Sequence, residues 1–176
     1  MSNTNLIRLG GFAAAIAGIL RGVNSFLPSA LSDEAIALLY LLTDIFLLFG
    51  MMGLYGFQHQ RSGLWGFFGF LLTIIGIAII RTGTLSTANL YPVGASIFAA
   101  GISSFAVGSW IAGNFPKWIS AFWIISTVVG FIGYFIPNLN LLFAIAGLLF
   151  GVGFASAGLK VFLAKPLSPD ARLPKR

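Results

Sequence analysis

Between residues 6 and 164 the chain is a succession of apolar runs, each roughly twenty residues long, separated by short breaks. The runs cover 6–27, 35–57, 63–81, 90–113, 118–136 and 139–164. A helix rises about 1.5 Å per residue, so each run is long enough to cross a hydrocarbon layer ~30 Å thick. Inside that layer no water satisfies backbone N–H and C=O groups, and only helices and closed barrels satisfy their own. A transmembrane barrel needs ~10-residue strands that alternate apolar and polar residues, whereas these runs are continuous. The sequence therefore predicts an all-α membrane protein. Its body, 1–164, is a compact bundle of six transmembrane helices with short loops, and 165–176 is a basic, Pro-rich tail lying on the cytoplasmic face.

Charge content agrees with this. Only 8% of the 176 residues are charged and 58% are hydrophobic, against about 25% charged residues in soluble domains. The chain has no Cys, one His (His59) and four acidic residues. Disulfides, thiolate nucleophiles and cysteine metal sites are excluded, and no carboxylate pair, Ser–His arrangement or metal-ligand cluster stands out. The sequence points to a non-enzymatic protein with no metal and no cofactor. The net charge of +6 is read as basic segments beside anionic lipid rather than as a nucleic-acid surface.

Orientation follows from the basic residues. With six spans, Arg8, Arg61, Lys117, Lys165, Arg172, Lys175 and Arg176 share one side. Asp33, Glu34 and Arg81 lie on the other. Both termini are accordingly expected in the cytoplasm. Tyr55, Trp65, Trp110 and Trp118 fall at cytoplasmic ends of their spans, and Tyr91 and Tyr134 at outer ends, an aromatic belt at each interface. The first span has one rival reading, a cleaved signal peptide, which would leave five spans and an outside N-terminus. Arg21 interrupts that pattern, and the apolar stretch resumes after it with "GVNSFLP".

Glycine is patterned. Gly50, Gly53 and Gly56 precede the "FQHQRS" segment, read as a loop, and Gly63, Gly66 and Gly69 follow it. Ala144, Gly147, Gly151, Ala155 and Gly158 form a stripe at three- and four-residue spacing, as do Gly11, Ala14, Gly18 and Gly22. Between helices in lipid there is little hydrophobic drive, and small residues let backbones approach. These glycines are read as packing seams, the two triplets as a seam between the second and third spans. A faint internal echo links "LLFGMMGLYG" with "LLFGVGFASAG".

Asp44 is the residue that an apolar chain has most reason to avoid. It lies about ten residues below the outer end of its helix, ~15 Å deep. A charge at the bilayer centre costs ~2.5–3.5 kcal/mol on the insertion scale. Arg21, in the first span, is expected ~10 Å deep, a backbone offset of ~5 Å that its side chain can span, and is the first candidate partner. Arg81, nearer the outer rim, is the second. Asn24, Tyr40 and Thr43 complete a candidate polar cluster. Three readings stay open: a structural ion pair, an outward-facing site in which Arg21 holds an anionic headgroup or carboxylate, and a protonated Asp44 in a proton relay. His59 is read as a solvated interfacial histidine, and Lys160 as a side chain reaching to the headgroups.

The segments "RLGGFAAAIAGIL", "LLTDIFLLFGMMGLYG" and "RSGLWGFFGFLLTIIGIAI" resemble those of small uncharacterised bacterial membrane proteins of similar length. The resemblance implies a bacterial cytoplasmic membrane and carries no activity with it. On the residues alone, the first expectation is binding or transport of a small amphiphile or anion at the Arg21–Asp44 region. The second is a structural or assembly subunit of a membrane complex or homo-oligomer. A lipid-modifying enzyme comes last.

Overall fold

The computed structural model of the chain describes residues 3–27, 31–85, 89–136 and 140–164. The tail, 165–176, lies outside the described residues. Five helices make up the fold: α1 (Asn3–Asn24), α2 (Asp33–Leu85), α3 (Tyr91–Ala112), α4 (Lys117–Phe135) and α5 (Asn140–Leu163). No strand occurs among the described residues. All five helices are long and apolar enough to cross a membrane.

The helix α2, at 53 residues, would extend ~80 Å if straight. It is interrupted at Gly63, whose φ of 57° and ψ of −156° lie outside the helical region. A residue with a Cβ adopts that backbone only under strain. Beyond Gly63 the chain returns on itself. Arg81 Nε donates to Asp44 Oδ2, 37 residues away, and the Tyr55 ring stacks on Phe70 with centroids 4.7 Å apart. In both pairs the residue numbers add to 125, the register of two antiparallel arms joined at residues 62 and 63. Residues 58–62, expected as a loop, are helical to the last residue before Gly63. The turn is made by one glycine, so the polar side chains of "QHQRS" are carried on the helix rather than in a connection.

The other helices pack in a ring: α1 against α2 and α5, α4 against α5 and α3, and α3 against α2. Glycines sit where backbones meet. A Cβ on Gly53 would lie 2.5 Å from Gly10 Cα, and one on Gly50 would lie 2.7 Å from Ala14 Cα. A Cβ on Gly151 would lie 2.5 Å from Gly18 O. Across α2 and α3 the neighbours of Gly66, Gly69 and Gly76 are Gly108, Phe105 and Phe98. The triplets around Gly63 therefore do not form a seam with each other. Gly50 and Gly53 meet α1, Gly66 and Gly69 meet α3, and the two arms of α2 touch through larger side chains. The two echoing segments, around Gly50 and Gly151, flank α1 on different sides.

The ring encloses an aromatic layer. Trp123, Phe105 and Phe154 are fully buried, with Met51, Leu54 and Ile102. Ring centroids are 5.8 Å apart for Phe105–Trp123, 6.2 Å for Trp123–Phe154 and 5.2 Å for the stacked Phe150–Phe154 pair. The outside of the bundle is apolar as well: Ile19, Phe49, Leu64, Ile111, Val128 and Leu141 are exposed. Water is a poor solvent for such a surface and lipid a good one, so the chain is a multi-pass membrane protein.

The register also sorts the polar residues by end. Gly10 opposite Gly53 and Asn24 beside Thr43 set α1 antiparallel to the first arm of α2. The start of α1, the Gly63 turn, the α3–α4 connection and the end of α5 thus share one end. Arg8, Arg61, Lys117 and Lys160 belong to that end, as do the exposed Trp65, Trp110 and Trp118. Lys117 Nζ lies 5.4 Å from the Trp110 ring centre, and the Arg8 guanidinium 5.7 Å from that of Phe162. Exposed Tyr91 and Tyr134 occupy the opposite end with Asp33 and Glu34.

Candidate functional site

Asp44, Leu47, Met51, Leu54 and Gln58 follow one another at three- and four-residue spacing, so they line one face of the first arm of α2. That face looks into the ring, since Leu47, Met51, Leu54 and Gln58 are all buried. Asp44 is therefore directed inward near the end opposite Gly63. Its partner is Arg81, held on the second arm by the hairpin register. This corrects the expected order of partners. Helix-end counting set Arg81 at the rim, but a turn made at Gly63 alone brings residue 81 level with residue 44. The pair is partly shielded, with 18% of the Asp44 side chain and 28% of the Arg81 side chain exposed.

Arg21 stands at the same level without being the bonded partner. Gly50 beside Ala14 and Thr43 beside Asn24 bracket the register of α1 against α2. Arg21 follows the fully buried Ala14 and Ala17 at seven and four residues, on the inward face of α1. It is half-buried and makes no hydrogen bond or direct ion pair among the described residues with its side chain. Its charge still acts on Asp44 electrostatically. A guanidinium stays protonated in any protein environment. The cluster therefore holds two fixed cations, Arg21 and Arg81, and a single carboxyl group, Asp44.

Asn24 and Thr43 extend the cluster. Thr43 Oγ1 donates to Leu39 O at 2.7 Å, so it accepts from Asn24 Nδ2 at 2.9 Å. This fixes the Asn24 amide and leaves Oδ1 buried with no partner. Tyr40 is half-buried and, with Asn24, Leu27 and Leu39, lines a cavity of about 10 Å³, room for one water. All six residues singled out in the sequence, Arg21, Asn24, Tyr40, Thr43, Asp44 and Arg81, therefore belong to the first three helical arms at one end.

The remaining candidates are peripheral. His59 is exposed, and its Nδ1 lies 2.9 Å from Gly56 O. Lys160 is exposed. Among the described residues no three His, Cys, Asp or Glu side chains gather as metal ligands.

A second polar group escaped the sequence reading. Gln58 is buried inside the bundle, its Nε2 donating to Ser109 Oγ at 2.7 Å. Ser62 and Ser120 are buried at the same end. The signal was the register of Gln58, fourteen residues after Asp44 on the same inward face, hidden by reading "QHQRS" as solvated loop.

Comparisons with protein-family models, with curated proteins and with solved structures gave no match to this chain.

Proposed function

We propose that this is a six-span protein of a bacterial cytoplasmic membrane, with both termini inside, that binds or carries a small anion or anionic amphiphile at the Arg21 cluster. The two arms of α2, each directed oppositely to its neighbours, support the six crossings. Arg8, Arg61, Lys117 and Lys160 at the Gly63 end, joined in sequence by the basic tail, support placing that end in the cytoplasm. The anion site then lies in the outer half of the membrane.

One observation carries the ligand class. Asp44 is engaged by Arg81, which leaves Arg21 as an inward-facing cation with no bonded partner among the described residues. A guanidinium presents five N–H donors in a planar fork that matches phosphate and carboxylate. A cation half-buried among apolar helices and without a bonded anion favours one that arrives. The same engagement gives the Asp44 carboxyl a bonded partner, Arg81, and a relay needs a carboxyl free to pass its proton on. The cluster has one carboxylate and no nucleophile beside a base, which supports binding rather than catalysis.

The assembly reading has its own support. A lipid-facing groove of about 210 Å³ runs between α1 and α5, lined by Gly18, Gly22, Leu148, Gly151 and Ala155. Its apolar walls suit a neighbouring helix or an acyl chain.

Dodecyl phosphate tests the anion reading against a neutral dodecyl glycoside. A ligand at 100 times its dissociation constant stabilises the folded state by about 2.7 kcal/mol. The thermal midpoint of the wild type in neutral detergent should rise on adding dodecyl phosphate, and that of Arg21→Met should not. An equal rise in Arg21→Met would overturn the reading.

A further inference from the structure

We propose that Gln58, Ser62 and Ser109 form a second, uncharged polar site at the Gly63 end of the bundle interior, and that its ligand is water. It is independent of the anion site and separated from it by the aromatic layer.

Two elements build the site. Gln58 and Ser62 are one helical turn apart on the inward face of α2. Ser109 is in the last turn of α3, one residue from Gly108, which packs against Gly66. Gln58, Ser62 and Ser109 are all at most 1% exposed. The Gln58 amide bonds Ser109 through Nε2 alone, and Oε1 is buried with no partner. Turning the amide over would satisfy Oε1 and strand Nε2 instead, so one arm of the amide is unpaired either way. The Ser62 hydroxyl is also buried with no partner. So is the Ser120 hydroxyl, in the first turn of α4 at the same end.

Unpaired donors and acceptors at this depth need a ligand that both donates and accepts. The side chains carry no charge and include no carboxylate, so they do not select an ion. The smallest species with both capacities is water, which makes about three hydrogen bonds when buried. Phe115, 4% exposed, closes this end of the ring: it contacts Phe57 at 5.7 Å and Trp123 at 6.4 Å between ring centres. Beyond it, Met51, Phe105, Trp123 and Phe154 offer no hydrogen-bonding side chain to continue the chain of water, apart from the Trp123 Nε1–H. Between the two ends the buried Thr73 and Ser126 hydroxyls donate to carbonyls of their own helices, and the face of α2 from Asp44 to Gln58 runs from polar through apolar to polar in sequence.

The chain has no Cys, so a single thiol reports on its own position. Ser62→Cys and Ser109→Cys place a thiol in the site, and Val161→Cys and Ala157→Cys place one at fully buried apolar positions of α5. The readout is the infrared S–H band and its conversion to S–D after transfer into D2O. A thiol beside water exchanges without waiting for the bundle to open, so Ser62→Cys and Ser109→Cys should exchange at least ~10-fold faster than the α5 controls. Adding Gln58→Met to Ser62→Cys should slow that exchange toward the control rate. Ser62→Cys removes no hydrogen bond within the protein, so it carries the test if Ser109→Cys fails to fold. Exchange at Ser62→Cys as slow as at Val161→Cys would show a dry site and overturn the proposal.

Discussion

Removing Asp44 or Arg81 singly should be far more damaging than removing both. The two side chains face each other across the arms of α2 and are mostly shielded, at 18% and 28% exposure. Arg81→Met leaves a mostly shielded carboxylate without its bonded partner; Asp44→Asn leaves a second guanidinium beside Arg21. Breaking a buried pair from one side costs ~3–5 kcal/mol, and the partial exposure argues for the lower end, about 3 kcal/mol. A protein of this size loses ~2–4 °C in thermal midpoint per kcal/mol, so each single variant should melt roughly 6–12 °C lower. The double variant should recover most of this, so the coupling energy should exceed the cost of either single variant, at more than about 3 kcal/mol. The matching cycle between Arg21 and Asp44 should give less than about 1 kcal/mol, since that interaction is electrostatic and unbonded. Both cycles are measurable by thermal unfolding in neutral detergent. An Arg21–Asp44 coupling larger than the Arg81–Asp44 coupling would refute the hairpin register that places residue 81 beside residue 44.

Gly151→Ala should destabilise by roughly 1–3 kcal/mol, because its Cβ would meet Gly18 O at 2.5 Å. Gly22→Ala, whose Cβ has only Leu148 Cδ1 at 3.8 Å, should melt like wild type. Gly63→Ala should cost about 1–3 kcal/mol with no clash at all, because nothing lies within 4 Å of its Cβ and the cost is the φ of +57° alone. Equal melting of Gly63→Ala and wild type would show that the turn is made elsewhere. Reporter fusions after Ser62, after Thr87 and at the C-terminus should read inside, outside and inside; an outside C-terminus would reverse the proposed orientation.

Much of the fold was legible because lipid enforces simple rules. A segment that must satisfy its own backbone and face hydrocarbon is a continuous apolar run, and the observed helix bounds depart from the runs by a few residues, except that the second and third of the six runs form one helix, α2, interrupted at Gly63. The failures share one cause. The polar stretch at residues 58–62 looked like a solvated connection, since exposed His59, Gln60 and Arg61 lie within it. Gln58 and Ser62 lie four residues apart on the buried face, and composition does not separate a polar side chain turned inward from one turned out. Assigning five residues to a loop also displaced Arg81 toward the rim. With the turn placed at Gly63 alone, residues 44 and 81 come level, and the partner of Asp44 could have been read directly. The glycine triplets misled for a related reason: spacing reveals a flat helix face but not which neighbour covers it.

The central claim is that Arg21 is an inward cation held for an anion. Native mass spectrometry tests it on protein released from nanodiscs of phosphatidylglycerol and phosphatidylcholine. Wild type and Lys117→Met, which removes an exposed cation at the Gly63 end, should both retain the anionic lipid through activation steps that strip phosphatidylcholine. Arg21→Met should release it together with the neutral lipid. Retention of phosphatidylglycerol by Arg21→Met at the wild-type level would contradict the account.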